Sequence, residues 1–159
     1  MATLAIESNG RLEKTAVYFN GEQISGLKEL FLNLDEDGTF DAVLQYEGLD
    51  KLLYTKNVFN EMLANVKIVE PSFTEEEAEQ LQLLEIESNG DINNTMVLLN
   101  GEEQDGLVCL FLHIKASSTP KGGLKSLFGG KTEISSDAEF KAEYTFRYED
   151  GQTVTEAIF

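Results

Sequence analysis

The chain has 159 residues, of which 42% are hydrophobic and 26% are charged, and its formal net charge is −17 at pH 7. This composition predicts a packed globular protein and excludes an intrinsically disordered chain. The negative charge disfavours nucleic acid and anionic membranes as partners, and we expect neither. A single cysteine, Cys109, excludes an intramolecular disulfide.

The first part of the chain, residues 1–59, predicts an antiparallel β module. Asn-Gly and Asp-Gly pairs, which favour tight hairpin turns, separate short runs in which apolar and polar residues alternate. No signal peptide is expected, because the N-terminus lacks a basic start followed by an apolar core. No apolar run reaches the roughly 18 residues of a membrane span. We predict five strands, over residues 2–8, 13–20, 27–34, 38–47 and 52–59.

Residues 60–80 are predicted to be a linker. The apolar residues between positions 49 and 66 also fit a helical stripe, so a short helix over 60–66 is an alternative to irregular structure. Further along, Thr74 and Glu77 have the spacing of a capping box, which predicts a short helix over 75–80.

The second part of the chain, residues 81–159, repeats the first. The sequence IESNG stands at 6–10 and again at 86–90, and a shift of 80 residues carries the match as far as Leu34 on Ile114. Roughly half of the aligned pairs are identical, which indicates two copies of one module. We call residues 1–59 copy one and residues 81–159 copy two.

The correspondence resumes near the end of each copy. Tyr46 matches Tyr148 at a shift of 102, and Phe59 matches Phe159 at a shift of 100. The strands of copy two are therefore predicted over residues 82–88, 93–100, 107–115, 137–149 and 153–159.

These elements predict an all-β, mainly antiparallel protein in which two tandem copies of a five-stranded module pack with pseudo-twofold symmetry, with a short helix in the linker. One module of about 60 residues buries too little surface to be stable alone, so the copies are expected to share a core. A sandwich and one continuous sheet are both compatible with the pattern.

Copy two differs from copy one by an insertion at 115–136, KASSTPKGGLKSLFGGKTEISS. It holds four of the twelve basic residues, and two Gly-Gly pairs flank an apolar patch. Loops of this length are commonly functional, which favours a basic, partly apolar contact arm that docks on an acidic neighbour. The alternative is a tolerated surface loop. The predicted partner-binding residues are Lys121, Leu124, Lys125, Leu127 and Phe128.

No motif in the chain predicts catalysis, a metal or a cofactor. His113 and Cys109 alone cannot supply the four ligands of a structural zinc site. The run from Asp35 to Gly38 matches only half of a calcium loop, and a hairpin turn explains it better. We therefore predict no catalytic residue, no metal ligand and no cofactor, and a protein that is not an enzyme.

The run VYFNGEQISGLKELFLNLDEDGTF at 17–40 resembles small β-rich structural and accessory proteins of tailed bacteriophages and prophages. Such proteins also place a strand, an Asn-Gly turn, a Gly-Leu step and an alternating strand in this order. The resemblance covers residues 15–47 and 95–114. It implies a virion, tail or accessory role, and it carries over no catalytic residue.

The prediction for function is a non-enzymatic structural or assembly protein that acts through protein–protein contacts, with a homo-oligomer expected. The alternative is an acidic binding or inhibitory module that engages a basic protein surface. Acidic residues are spread over both copies and the linker, which disfavours a dedicated mimic of nucleic-acid charge. The expected location is the cytoplasm, or the virion if the protein derives from a phage.

Overall fold

The computed structural model describes residues 2–116 and 139–159, and their regular structure is almost entirely β. Two short 3-10 turns, Leu12–Lys14 and Ile92–Asn94, accompany the strands and one helix. In chain order the elements are β1 (Ala2–Ser8), β2 (Thr15–Phe19), β3 (Glu22–Ser25), β4 (Leu27–Asp35), β5 (Phe40–Glu47), β6 (Leu53–Asn57), β7 (Lys67–Val69), α1 (Glu75–Ala78), β8 (Gln82–Ser88), β9 (Met96–Leu99), β10 (Glu102–Glu103), β11 (Leu107–Lys115), β12 (Glu139–Arg147) and β13 (Thr153–Ala157).

The strands form two antiparallel sheets, and each sheet contains strands of both copies. The first has the order β10-β9-β8-β1-β2-β3-β7, and the second has the order β13-β12-β11-β4-β5-β6. Copy one meets copy two where β1 pairs with β8 and where β4 pairs with β11. The structure therefore combines the two arrangements that the sequence left open. Each sheet is continuous through both copies, and the two sheets face one core as a sandwich.

The core lies between the two sheets. Alternation along β1 and β8 turns the side chains of every second residue inward, where they meet the inward face of β4 and β11. One continuous apolar cluster results, which explains why neither copy needs a core of its own. Its fully buried members include Leu4, Ile6, Leu32, Leu84, Ile86 and Leu112.

The repeated sequence IESNG has a structural explanation in both copies. Ser8 is fully buried, and its Oγ accepts from the Gly10 amide at 2.9 Å and lies 2.8 Å from Thr15 Oγ1. Ser88 is equally buried and makes the same two contacts, with the Gly90 amide at 3.0 Å and a threonine Oγ1 at 2.8 Å. The residues shared by the two copies therefore satisfy the hydrogen bonding of a buried serine hydroxyl at the end of β1 and at the end of β8.

The glycine that precedes β4 is required by its surroundings. Gly26 has a φ of +80°, and a Cβ there would lie 2.7 Å from the carbonyl oxygen of Glu47. The strand bulges at this point, since the register between β4 and β5 shifts between Leu27 and Glu29. Copy two has Gly106, with a φ of +77°, before the corresponding bulge in β11.

The prediction of an all-β, mainly antiparallel fold is confirmed, and the linker helix is present as α1. Thr74 Oγ1 accepts from the Glu77 amide, and the Glu77 side chain accepts from the Thr74 amide, which is the predicted capping box. The strand count was underestimated, because β3, β7 and β10 are additional. The alternative helix over 60–66 is wrong, because those residues form turns and irregular backbone. Pseudo-twofold symmetry between the copies stays a prediction.

Candidate functional site

All five predicted partner-binding residues, Lys121, Leu124, Lys125, Leu127 and Phe128, lie outside the described residues. The structure describes the insertion only at its start. There, the pairing of Lys115 with Glu139 sets the two flanks of the insertion side by side at the end of β11 and β12. The role of the five residues stays a prediction.

The outer strands of the second sheet occupy equivalent places at its two ends. The β4–β5 and β11–β12 pairings set Tyr46 and Phe146 at the same point of the ladder. The next strands repeat the pairing, Tyr46 with Tyr54 and Phe146 with Val154. A constant shift of 100 residues therefore relates these strands, so Phe146 is the counterpart of Tyr46, and the sequence match with Tyr148 is wrong.

At the copy-one end, which comprises β3, β5, β6 and β7, the chain covers its own aromatic face. Residues 61–73, which we call the cover segment, run from the end of the second sheet to the edge of the first. The hydroxyl of Tyr46 donates to the carbonyl oxygen of Ala64 at 2.6 Å, and the Tyr46 side chain is 0% exposed. Tyr46 stacks on Tyr54 with 5.4 Å between ring centroids, and Leu63 of the cover segment joins the core.

The cover segment also extends the first sheet. Its strand β7 pairs with β3, which places Ile68 opposite Ile24. Beyond β7, the side-chain amide of Gln23 donates to Ser72 Oγ at 2.7 Å, and its oxygen accepts from the Ser72 amide at 2.7 Å. Both Gln23 and Ile24 are buried as a result. The edge of β3 is thus closed by backbone and side-chain hydrogen bonds.

At the copy-two end, which comprises β9, β10, β12 and β13, the described chain provides no such cover. Phe146 is half-buried and contacts Tyr144 edge-on, with 4.5 Å between ring centroids. Val154 is 38% exposed and Tyr148 is 53% exposed. Every residue of β13 is exposed, although it is a full strand of the second sheet. This end therefore presents aromatic and aliphatic side chains beside an open strand.

A cleft of about 200 Å³ lies between the two sheets and is lined by Leu107, the ladder partner of Phe146. Its lining is mixed: the polar residues include Asp35, Glu36 and Thr95, together with Glu103 and Gln104, which are the counterparts of Gln23 and Ile24. In the part of the chain that the structure describes, no strand pairs with the outer side of β10. The aliphatic residues that line the cleft are Leu34, Ile92, Met96, Val97, Leu107, Val108 and Leu110.

We call Tyr144, Phe146, Tyr148 and Val154, together with this cleft and the edge of β10, the copy-two surface. Exposed aromatic residues next to an unpaired strand are typical of protein-binding surfaces. The sequence pattern did not predict this surface, although it holds one signal: Glu103 stands where copy one has Gln23.

His113 lies on the opposite, outer face of the second sheet, between two carboxylates. Its Nε2 is 2.5 Å from Glu29 Oε2, and its Nδ1 is 2.9 Å from Glu139 Oε2. Each ring nitrogen therefore lies within hydrogen-bonding distance of a carboxylate oxygen. The three residues belong to β4, β11 and β12, so the cluster links the two copies. Within the described residues, no group of three or more potential ligands could hold a metal ion.

Cys109 is not arranged as a nucleophile. Burial raises the pKa of its thiol, and the negative charges of Asp35 and Glu143 raise that pKa further. The thiol is therefore held in its protonated, unreactive form. The Cys109 side chain is partly buried.

No protein-family model, curated protein or solved structure matches the chain. Among residues 2–116 and 139–159, no helix has the length and apolar character needed to cross a membrane.

Proposed function

We propose that the protein is a non-enzymatic structural or assembly protein that acts through protein–protein contacts, with self-association as its first mode. The observation that carries this proposal is the copy-two surface, where Phe146, Tyr148 and Val154 lie at the end of the sandwich at which no described strand pairs with the outer side of β10. Large apolar groups left in water favour association, because covering them removes apolar area from solvent. The same face of copy one is already covered by the chain itself.

The insertion supplies a second, complementary contact in this proposal. In this proposal an acidic neighbour is bound by the lysines and apolar residues of the insertion, Lys121, Leu124, Lys125, Leu127 and Phe128. Because the net charge is −17, every copy of the protein is such a neighbour. The resemblance to phage proteins extends the proposal to a virion or tail role. The location is then the virion, or the cytoplasm during assembly.

The test is the absolute mass in solution, measured by size-exclusion chromatography with light scattering at low and at high salt. A defined oligomer is expected, and Val154→Asp should reduce it to a monomer because a carboxylate cannot be buried unpaired in an apolar contact. Deletion of 117–134 should preserve the circular dichroism spectrum and weaken assembly. A monomer at both salt concentrations would contradict self-association.

The second candidate is an acidic module that binds a basic protein surface. It is favoured by an open groove on the outer face of the first sheet, which is lined by Glu7, Glu85 and Glu87. The hydroxyl of Tyr18 donates to Glu7 Oε1 at 3.0 Å and forms one wall of the groove. Closely spaced carboxylates in a groove attract cationic groups, and salt weakens this attraction.

Polylysine is a direct probe of this candidate. Replacing Glu7, Glu85 and Glu87 together by glutamine should weaken polylysine binding, measured by isothermal titration calorimetry. The matched control replaces Glu75, Glu76 and Glu79 of the linker by glutamine, which changes the net charge equally at another site. Equal losses in the two triple variants would mean that only the net charge acts, and would remove the groove from consideration.

A further inference from the structure

We infer that the copy-two surface binds a strand of another protein chain, which pairs with the edge of β10 and lies over Phe146 and Val154. This inference rests on the proposed function and specifies the partner. The fold itself contains the template, because the cover segment, residues 61–73, occupies the equivalent place in copy one. The occupant is therefore an extended segment with apolar side chains on the face that meets the sandwich.

The backbone requirement follows from the difference between the two edges. The outer side of β3 is paired over Gln23, Ile24 and Ser25 with the three residues of β7. β10 is the edge strand at the opposite end of the same sheet, and no described strand pairs with its outer side. Unpaired backbone N–H and C=O groups at a sheet edge accept an added strand. An extended segment can therefore form with β10 the ladder that β7 forms with β3.

The apolar requirement follows from what the cover segment does in copy one. Leu63 is 8% exposed and belongs to the same buried cluster as Tyr46, and Tyr54 packs against this cluster. Their counterparts Phe146 and Val154 retain the apolar character but lack a covering side chain from the described chain. A partner segment that places one large aliphatic side chain over Phe146 would remove this apolar area from water.

The charge requirement follows from one substitution between the copies. Gln23 uses its amide both to donate to Ser72 and to accept from Ser72, which a carboxylate cannot do. Glu103 stands at the equivalent place and can only accept. Glu102 and Asp105 lie beside it, whereas copy one has Glu22 and Ser25. The occupant therefore carries a lysine or an arginine opposite Glu103, where the cover segment carries Ser72.

The experiment uses two synthetic peptides as probes and the full chain as receptor. One peptide has the sequence of residues 61–73, and the other is its Ser72→Lys version; binding is measured by fluorescence anisotropy of a labelled peptide. Both should bind saturably, the Ser72→Lys peptide about five- to tenfold more tightly because it forms a charge-assisted hydrogen bond. The receptor variant Glu103→Gln should abolish this preference, since it recreates the neutral pair of copy one.

Surface variants locate the binding site. Val154→Asp and Tyr148→Asp should each weaken binding of both peptides at least about tenfold, because each buries a carboxylate in the apolar contact. Leu53→Asp is the matched control, since Leu53 is 59% exposed on β6, at the copy-one end. Its affinity should equal that of the unchanged chain. Circular dichroism and thermal unfolding confirm that each variant is folded before its affinity is interpreted.

Four results would overturn the inference. Three of them are the absence of saturable binding, binding that Val154→Asp and Tyr148→Asp leave unchanged, and a Ser72→Lys preference that survives Glu103→Gln. The fourth is binding that appears only after deletion of 117–134, because the chain's own insertion would then occupy the surface. The mass of the same samples separates this inference from the proposed function. A monomer that binds the peptides rejects self-association alone, and an oligomer that Val154→Asp reduces to a monomer but that binds neither peptide rejects the strand-docking site alone.

Discussion

Replacing Tyr46 by phenylalanine tests whether one hydroxyl holds the cover segment on the sandwich. The Tyr46 side chain is 0% exposed, and its hydroxyl donates to the Ala64 carbonyl at 2.6 Å. The substitution keeps the ring and its stacking on Tyr54, so it removes the hydrogen bond with little change in volume. The partly buried carbonyl oxygen loses its donor, and such a loss costs about 1–2 kcal/mol in the free energy of unfolding.

Equilibrium unfolding in urea measures this loss. With a slope of about 2 kcal/mol per molar urea, the midpoint of Tyr46→Phe should fall by roughly 0.5–1 M, and the slope should not change. Tyr148→Phe is the control, because Tyr148 is 53% exposed and its midpoint should stay within the error of the measurement. An unchanged midpoint for Tyr46→Phe would refute the argument that this bond fastens the cover segment.

Three further predictions concern the fold. Burial raises the pKa of Tyr18 to about 12 from its usual 10.0, so the folded state keeps the hydroxyl proton to a higher pH than the unfolded state does. The free energy of unfolding should therefore fall as the pH rises from about 10 through 12. Urea titrations at a series of pH values should show a smaller fall for Tyr18→Phe. Ser8→Ala and Ser88→Ala should each destabilise by about 1–3 kcal/mol, and unequal values would contradict equivalent roles in the two copies. Gly26→Ala should lower the melting temperature more than Gly21→Ala: φ is positive at both, but only at position 26 does a Cβ meet a backbone oxygen, at 2.7 Å.

The parts of the fold that the sequence predicts are those with a local physical signature. Asn-Gly turns require a positive φ, and Asn20 and Gly21 indeed have φ values of +51° and +86° between β2 and β3. Alternation over TFDAVLQYE predicts β5 with Ala42, Leu44 and Tyr46 facing inward, and all three are 0% exposed. Each of these features is decided within a few residues, so a single sequence is sufficient to find it.

The parts that escape prediction depend on contacts between distant residues. β7 has only three residues, and two of them, Ile68 and Val69, are exposed, so no alternating pattern marks it. It forms because the edge of β3 offers backbone partners more than 40 residues earlier in the chain. In the same way, the apolar stripe around Leu63 and Val66 fits a helix locally, but these residues fill the gap between the sheets instead. Propensity within a segment cannot reveal such a tertiary partner.

The candidate site, the copy-two surface, also depends on contacts between distant residues. The differences between the two copies explain why it is exposed. Residues that serve both copies alike are retained, such as the buried pair Ser8 and Ser88. The residues that hold the cover segment in copy one differ in copy two, where Gln23 is replaced by Glu103 and Tyr46 by Phe146. Each replacement removes a group that donates a hydrogen bond to the cover segment, and the first also adds a negative charge. The copy-two surface keeps its apolar character but lacks the two hydrogen-bond donors that hold the cover segment in copy one. This combination is expected of a face that a separate chain covers.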